Sequence, residues 1–134
     1  RFALEPQVIS VDGEGWEFEE IGRQGGFKII ADKALYTNTA LCSNDRRAIG
    51  CLSACYESGL RVGRDAEADL RVASHDDNPF SRFTCPSLTT AAHDFASVSQ
   101  AAVDTVFQVI EAGGHLENRK ETLFPASLVI RNSA

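Results

Sequence analysis

The sequence is poor in several features that would point to particular classes of protein. It has no methionine and one tryptophan, and its 19 acidic residues outnumber its 13 basic ones, which gives a formal net charge of −6. Such an acidic chain is unsuited to gripping DNA by itself, because binding to the phosphate backbone requires a basic face. No apolar run approaches the roughly 20 residues of a membrane helix, so we expect no membrane partner.

Motifs of catalysis and of nucleotide binding are missing as well. Gly13-Glu14-Gly15 lacks the third glycine of a dinucleotide-binding loop and predicts a turn, and neither a phosphate loop nor a Gly-x-Ser-x-Gly elbow is present. His75, His93 and His115 have no spacing that pairs one of them with a nucleophile. We therefore predict that the chain is not an enzyme, with no catalytic residue and no cofactor.

The four cysteines, Cys42, Cys51, Cys55 and Cys85, predict buried free thiols. Cys42 lies in an apolar strand segment, and Cys51 and Cys55 are four apart on a predicted helix, positions where cysteine acts as a small apolar side chain. Free thiols are typical of a reducing cytoplasm. Neither closely spaced ligand pairs nor a histidine cluster is visible, so we expect no metal site.

The 134 residues are enough for one domain, and their pattern predicts strands that alternate with helices. We predict strands over residues 7–11, 40–42, 70–73 and 121–130, and helices from about residue 16, from 44 or 45 to 58, and over 94–112. Gly25-Gly26 predicts a kink or break in the first helix. Tyr56 lies on the apolar face of the second helix, and Gly59 fits its C-terminal cap. This alternation indicates a parallel α/β sheet.

Two of the predicted strands end in polar residues. Asn44 and Asp45 follow one strand, and Asp76 and Asp77 follow another. Because open α/β sheets bind ligands at the carboxyl ends of their strands, this pattern predicts a ligand cleft. Asp76 can accept hydrogen bonds from sugar hydroxyls, and Asn44 can both donate and accept. A loop-capping role for Asp76 and a helix N-cap role for Asn44 remain as structural alternatives.

Two aromatic residues are further candidates for the cleft. Trp16 is the single tryptophan, and its ring could stack on the apolar face of a sugar, whereas burial in the core is the common fate of a tryptophan in a small domain. Phe95 carries the same two alternatives, because it begins the apolar stripe of the last predicted helix.

Five motifs in fixed order resemble the effector-binding domain of the LacI/GalR family of bacterial transcription regulators. They are Ala40 to Asp45, Ala48-Ile49-Gly50, Gly59-Leu60-Arg61-Val62, Asp76-Asp77 and Pro86 to Thr90. The segment Leu123 to Arg131 also looks like the terminal Leu-x-Pro-x-Leu-x-x-Arg of that family. Ser74-His75 departs from the Gly-aromatic pair that the family has before its aspartate, so this strand end is expected to have a different shape.

The resemblance implies an α/β fold: a periplasmic-binding-protein-like (type I) lobe with a mainly parallel sheet flanked by helices. Residues 1–134 would form a single domain, mainly the C-terminal lobe of the effector-binding domain. The DNA-binding headpiece and most of the N-terminal lobe would be absent, and residues 1–4 are interpreted as the tail of a truncated helix.

The resemblance also implies a function. Asn44, Asp76, Trp16 and Phe95 would line the cleft for a small effector, a sugar or related polyol, with a purine as the alternative. The full protein would be a cytoplasmic homodimer that binds operator DNA through its headpiece, and the effector would shift the population of the DNA-competent dimer.

Two predictions concern assembly. The helix after Asn44, including Cys51 and Cys55, is expected to contribute to the dimer face. The helix over 94–112, which in the family crosses to the other lobe, would lack its partners here. Its apolar face would then be exposed, dock on its own lobe or pair with a second chain, and we predict an oligomeric or swapped arrangement.

Two other functions compete with this interpretation. A periplasmic sugar-binding protein shares the fold, and it would carry an export signal and no headpiece. An enzyme of flavodoxin-like or hydrolase type would need a nucleophile, a base and oxyanion donors in one place.

Overall fold

A computed structural model describes residues 7–11, 13, 15–32, 37–114 and 121–134. Within these ranges the elements are α1 (Phe18–Ala31), β1 (Thr39–Leu41), α2 (Asp45–Glu57), β2 (Arg71–Asp76), β3 (Thr89–His93), α3 (Phe95–Glu111) and β4 (Ala126–Val129). Helices and strands alternate as predicted, except that β3, which was not predicted, follows β2 directly. None of the helices described is both long and apolar enough to cross a membrane. The helical tail predicted for residues 1–4 lies outside the described residues, as do Glu14 of the predicted turn and His115.

The four strands form one sheet in the order β1-β2-β3-β4, and this confirms the predicted α/β fold with a mainly parallel sheet. β1, β2 and β3 are parallel, whereas β4 pairs antiparallel with β3. β4 is shorter than predicted and starts directly after Pro125, since proline lacks the N–H that a strand interior needs. The carboxyl ends of β1, β2 and β3 therefore lie along one edge of the sheet.

The core lies between α2 and the sheet. It contains Ala48, Cys51, Leu52 and Cys55 of α2 together with Leu70, Val72 and Leu88. Gly59 follows α2 with a φ of 72°, which confirms the predicted C-terminal cap. The prediction for Tyr56 is wrong, because this side chain is 84% exposed. The buried stripe runs through Cys51 and Cys55, and one further residue rotates Tyr56 about 100° away from it.

The predicted break at Gly25-Gly26 is wrong, because α1 is one continuous helix through both glycines. These residues permit close packing instead. A Cβ atom on Gly26 would lie 2.7 Å from the Cβ of Ala54 in α2, and one on Gly25 would lie 2.6 Å from Cγ2 of Val11. The strand predicted over 7–11 is also absent from the described structure, and Val11 packs on α1 rather than on the sheet.

The four cysteines are free, as predicted, but they are not all buried. Cys85 is exposed, because it lies in the turn before Pro86 rather than in a helix or strand. The hydrogen bond with Cys51 and burial together raise the pKa of Cys55, so its thiol stays protonated at neutral pH. Cys51 and Cys55 face the core, and the prediction that they belong to a dimer face is therefore wrong.

The predicted long helix is confirmed as α3, and its environment is unusual. None of its residues is buried, and six of its large apolar side chains are exposed: Phe95, Val98, Val103, Val106, Phe107 and Ile110. In the described chain this face is not covered by its own lobe, and the oligomeric or swapped arrangement stays a prediction.

Candidate functional site

Asp45 ties together the segments that follow β1, β2 and β3. It is fully buried, and its Oδ1 accepts hydrogen bonds from the hydroxyls of Ser74 and Thr90, the latter at 2.7 Å. Its Oδ2 accepts from the Ser81 hydroxyl at 2.6 Å and from the Asn78 N–H at 2.7 Å. Burial raises the pKa of Asp45, but the four hydrogen bonds together lower it by more, so the pKa lies below its usual value.

Asn44, rather than Asp45, caps α2. Its Oδ1 accepts a hydrogen bond from the Arg47 N–H at 2.8 Å, which is the N-cap arrangement left open by the sequence. Asn44 is half-buried and follows β1 at the carboxyl-end edge of the sheet. The structural role found here leaves its contact with a ligand as a prediction.

The two aspartates after β2 have separate roles. Asp77 Oδ1 accepts a 2.6 Å hydrogen bond from the guanidinium of Arg131, and both side chains are largely buried. Asp76 is more exposed, and its Oδ1 lies 3.1 Å from Nδ1 of His75. Asp77 therefore stabilises the fold, and the carboxylate of Asp76 remains accessible at the sheet edge.

The backbone at these aspartates is strained. Asp76 has a φ of 122° and Asp77 has a φ of 50°, both in the region that favours glycine. Such conformations cost about 1–3 kcal/mol each and persist only where the surroundings impose them, most often at ligand sites. The ion pair of Asp77 with Arg131 supplies that constraint here.

A row of aromatic rings starts beside Asp76. The ring centroids of His75 and His93 are 5.6 Å apart, and those of His93 and Phe95 are 5.7 Å apart. His75 pairs with Ala91 across the sheet, so His93 lies two residues further along the same face. Phe95 is 55% exposed, and the row therefore connects it to Asp76.

Sequence reasoning missed the two histidines as partners of Asp76. It considered them singly as bases, because β3 was not predicted and the register that joins His75 to His93 was unknown. The unusual Ser74-His75 pair at the end of β2 was the available signal.

Trp16 is 81% exposed, so the alternative of a core tryptophan is wrong. Its ring lies 5.8 Å from that of Phe18, edge to face. The guanidinium of Arg47 lies 5.6 Å from the centroid of Phe18 and so links this pair to the first turn of α2. Trp16 thus lies at the end of the α1–α2 pair where α2 begins, and the N-cap residue Asn44 lies at the same end.

Comparisons with known proteins agree with this architecture. A family model described as "Periplasmic binding protein-like domain" matches residues 13–134. The lactose operon repressor of Escherichia coli (strain K12) is 35% identical over 104 residues, which cover 78% of this chain and 27% of that protein. The HTH-type transcriptional repressor PurR of Histophilus somni is 33% identical over 133 residues, which cover 99% of this chain and 37% of that protein.

Solved structures show the same similarity. The lac repressor bound to ONPG in its repressed state has a TM-score of 0.71 at 33% identity, over 87% of this chain and 33% of that one. The lac repressor dimer bound to operator and the anti-inducer ONPF has a TM-score of 0.70 at 33% identity, over 85% of this chain and 37% of that one. The chain thus spans well under half the length of the proteins it matches.

Proposed function

The chain belongs to the periplasmic-binding-protein-like domain family, in the form found in LacI/GalR regulators, and from this membership we propose that it senses a small effector for a DNA-binding regulator. The observation that carries the proposal is the accessible carboxylate of Asp76, held by a strained backbone at the edge where parallel sheets bind ligands. The proposed function is binding without catalysis, in the cytoplasm.

We propose that Asn44, Asp76, Trp16 and Phe95 line this side of the cleft. The carboxylate of Asp76 would accept hydrogen bonds from ligand hydroxyls, which are stronger than neutral ones because the acceptor is charged. The exposed rings of Trp16 and Phe95 would cover apolar parts of the ligand. The similarity to the lactose operon repressor supports a sugar or polyol, and a purine is the second candidate.

We propose that a second lobe and a DNA-binding headpiece complete the regulator, with residues 1–134 forming mainly its C-terminal lobe. The open apolar face of α3 supports this proposal, since a contiguous exposed apolar patch usually marks an interaction surface. Effector binding between the lobes would shift the dimer between DNA-competent and DNA-incompetent arrangements by its difference in affinity for the two.

A thermal-shift screen of sugars and nucleosides tests the effector proposal on a regulator that contains this chain. A ligand at about 100 times its Kd stabilises by about 2.7 kcal/mol, which raises Tm by several degrees. We expect Asp76→Ala to abolish both this shift and the effector response in operator binding, while operator binding itself persists.

Asp104→Ala is the matched control, because Asp104 is an exposed carboxylate of α3 that bonds to Gln100. A full ligand shift in Asp76→Ala would remove Asp76 from the site. If no compound of the panel raises Tm and none changes operator binding, the sugar and nucleoside assignment is contradicted.

We propose that the homodimer forms through the exposed edge of α2 and the turn over residues 79–86. The face of α2 that carries Cys51 and Cys55 is not part of this interface, because it packs in the core. Tyr56 is exposed on α2 and lines one groove together with Cys85 and Pro86, and Phe80 and Phe83 are exposed in the turn that leads to Pro86. Large aromatic side chains are typical of the centre of an interface.

Phe83→Glu is expected to dissociate the proposed dimer. Burying an unpaired carboxylate in place of an aromatic ring would cost about 2 kcal/mol or more, a weakening of at least roughly 30-fold. Sedimentation equilibrium measures this change. Val8→Glu, at another exposed apolar residue, should leave the association unchanged. A dimer of undiminished stability in Phe83→Glu would place the interface elsewhere.

A further inference from the structure

His75, Asp76 and His93 form a compact group of metal-ligating side chains, here called the His–Asp cluster. Each residue offers one ligand atom, and these atoms all lie within 4.8 Å of one another. His75 Nδ1 and Asp76 Oδ1 are 3.1 Å apart. That distance is close to the roughly 3.3 Å between two ligands that each lie about 2.0 Å from a tetrahedral ion.

The sheet and the strained turn create this convergence. His75 and His93 share one face of adjacent parallel strands, as the pairing of His75 with Ala91 requires. Strict alternation would direct the next residue, Asp76, toward the opposite face. Its φ of 122° departs from strand geometry at that position, and its carboxylate reaches the histidines.

The charges around the cluster favour a cation. Across the residues that the structure describes, no lysine or arginine pairs with Asp76, whereas Asp77 is neutralised by Arg131. The chain as a whole carries a formal net charge of −6. A divalent ion would compensate the carboxylate and replace the hydrogen bond between His75 and Asp76.

We propose that the His–Asp cluster binds one divalent transition-metal ion, with Zn²⁺ as the best fit, and leaves at least one coordination position open to solvent. Two imidazoles and one carboxylate favour Zn²⁺ and its first-row neighbours over Mg²⁺ and Ca²⁺, which prefer all-oxygen sites. Three protein ligands with an open fourth position are typical of zinc sites that bind a further molecule.

This metal site goes beyond the proposed effector function, and the two share one residue, Asp76. His93 separates the two, because it is a ligand of the ion and is outside the set proposed to hold the effector. His93→Ala is expected to lose the metal and to keep the effector response. Failure of the metal proposal alone would leave the effector-induced thermal shift in place, and failure of the effector proposal alone would leave zinc binding in place.

Isothermal titration of the metal-free chain with ZnCl₂ tests the proposal. We expect one ion per chain. His75→Ala and His93→Ala should each weaken binding by more than about 100-fold, since even the outer partners of metal ligands contribute 10- to 100-fold. Circular dichroism establishes that each variant is folded, and His93→Ala is the safer variant because His93 is exposed at the end of β3.

Two controls exclude other ligands. His115→Ala removes the third histidine of the sequence and should bind zinc as tightly as the original chain. Cys85→Ser removes the exposed thiol and should also retain binding, and Co²⁺ in place of Zn²⁺ should show no sulfur charge-transfer absorption. The proposal is overturned by a folded chain without saturable zinc binding, by full binding in His93→Ala, or by loss of binding in Cys85→Ser.

Discussion

Replacing Asp45 by alanine is expected to lower the free energy of unfolding by about 4 kcal/mol. The carboxylate accepts four hydrogen bonds in a fully buried position, from Ser74, Thr90, Ser81 and the Asn78 backbone. Alanine would leave the four donors without an acceptor and would open a cavity between β2, β3 and α2. Removing one partner of a buried charged network costs more than removing an exposed pair for this reason.

Urea denaturation of the folded chain measures this loss. Asp104→Ala removes an exposed carboxylate and should change the free energy of unfolding by less than about 0.5 kcal/mol. Asp45→Asn keeps the shape but turns one acceptor oxygen into a donor, so its cost should be substantial as well. Stability of Asp45→Ala within about 1 kcal/mol of the original chain would show that these hydrogen bonds contribute little.

The Asp45 contribution should also depend on pH. The folded pKa of Asp45 lies below its usual value, so its stabilisation is fully present above the unfolded pKa of about 3.9 and is lost as pH falls through the folded value. The difference in stability between the original chain and Asp45→Asn should therefore be constant near neutral pH and shrink below about pH 4. A difference that grows on acidification would contradict a lowered pKa.

Gly50→Ala is expected to cost about 3 kcal/mol, although alanine is the better helix former by about 1 kcal/mol. A Cβ atom at this position would lie 1.9 Å from the carbonyl oxygen of Glu19 and 2.6 Å from the backbone nitrogen of Arg23. Both are backbone atoms of α1, so the two helices would have to separate.

Gly63→Ala is the control for Gly50→Ala. Its added Cβ would have its nearest neighbour at 3.5 Å, an ordinary contact, and we expect a change within about 0.5 kcal/mol. Thermal or urea unfolding distinguishes the two variants. A stabilised Gly50→Ala would mean that intrinsic helix propensity outweighs the contact between the helices.

The motifs that resemble the LacI/GalR family predicted the fold well, because each one reflects a local structural requirement. The Asn44-Asp45 pair predicted a strand end and a helix start, and the Asp76-Asp77 pair predicted the end of a neighbouring strand. Asn44 caps α2 and Asp77 binds Arg131 of the terminal motif. Each of these motif residues therefore has a structural role that can be recognised from its place in the sequence.

The site was predicted less completely, because its geometry depends on residues that are distant in the sequence. β3 carries no clear alternation of polar and apolar residues, so it was missed, and with it the proximity of His93 to His75. Tyr56 and the glycines of α1 were misjudged for a similar reason. Their environment is set by how α1, α2 and the sheet pack together, which no local pattern contains.

The sequence by itself determined the alternation of helices and strands, the caps of α2 and the polar ends of its strands, since these follow from neighbouring residues. Only the tertiary structure decided that Asp45 is a buried acceptor, that Asp76 stays accessible and that two histidines join it. The physical reason is that strand register and helix contact bring together groups that are far apart in the sequence, 45 residues for Thr90 and Asp45 and 54 for Arg131 and Asp77.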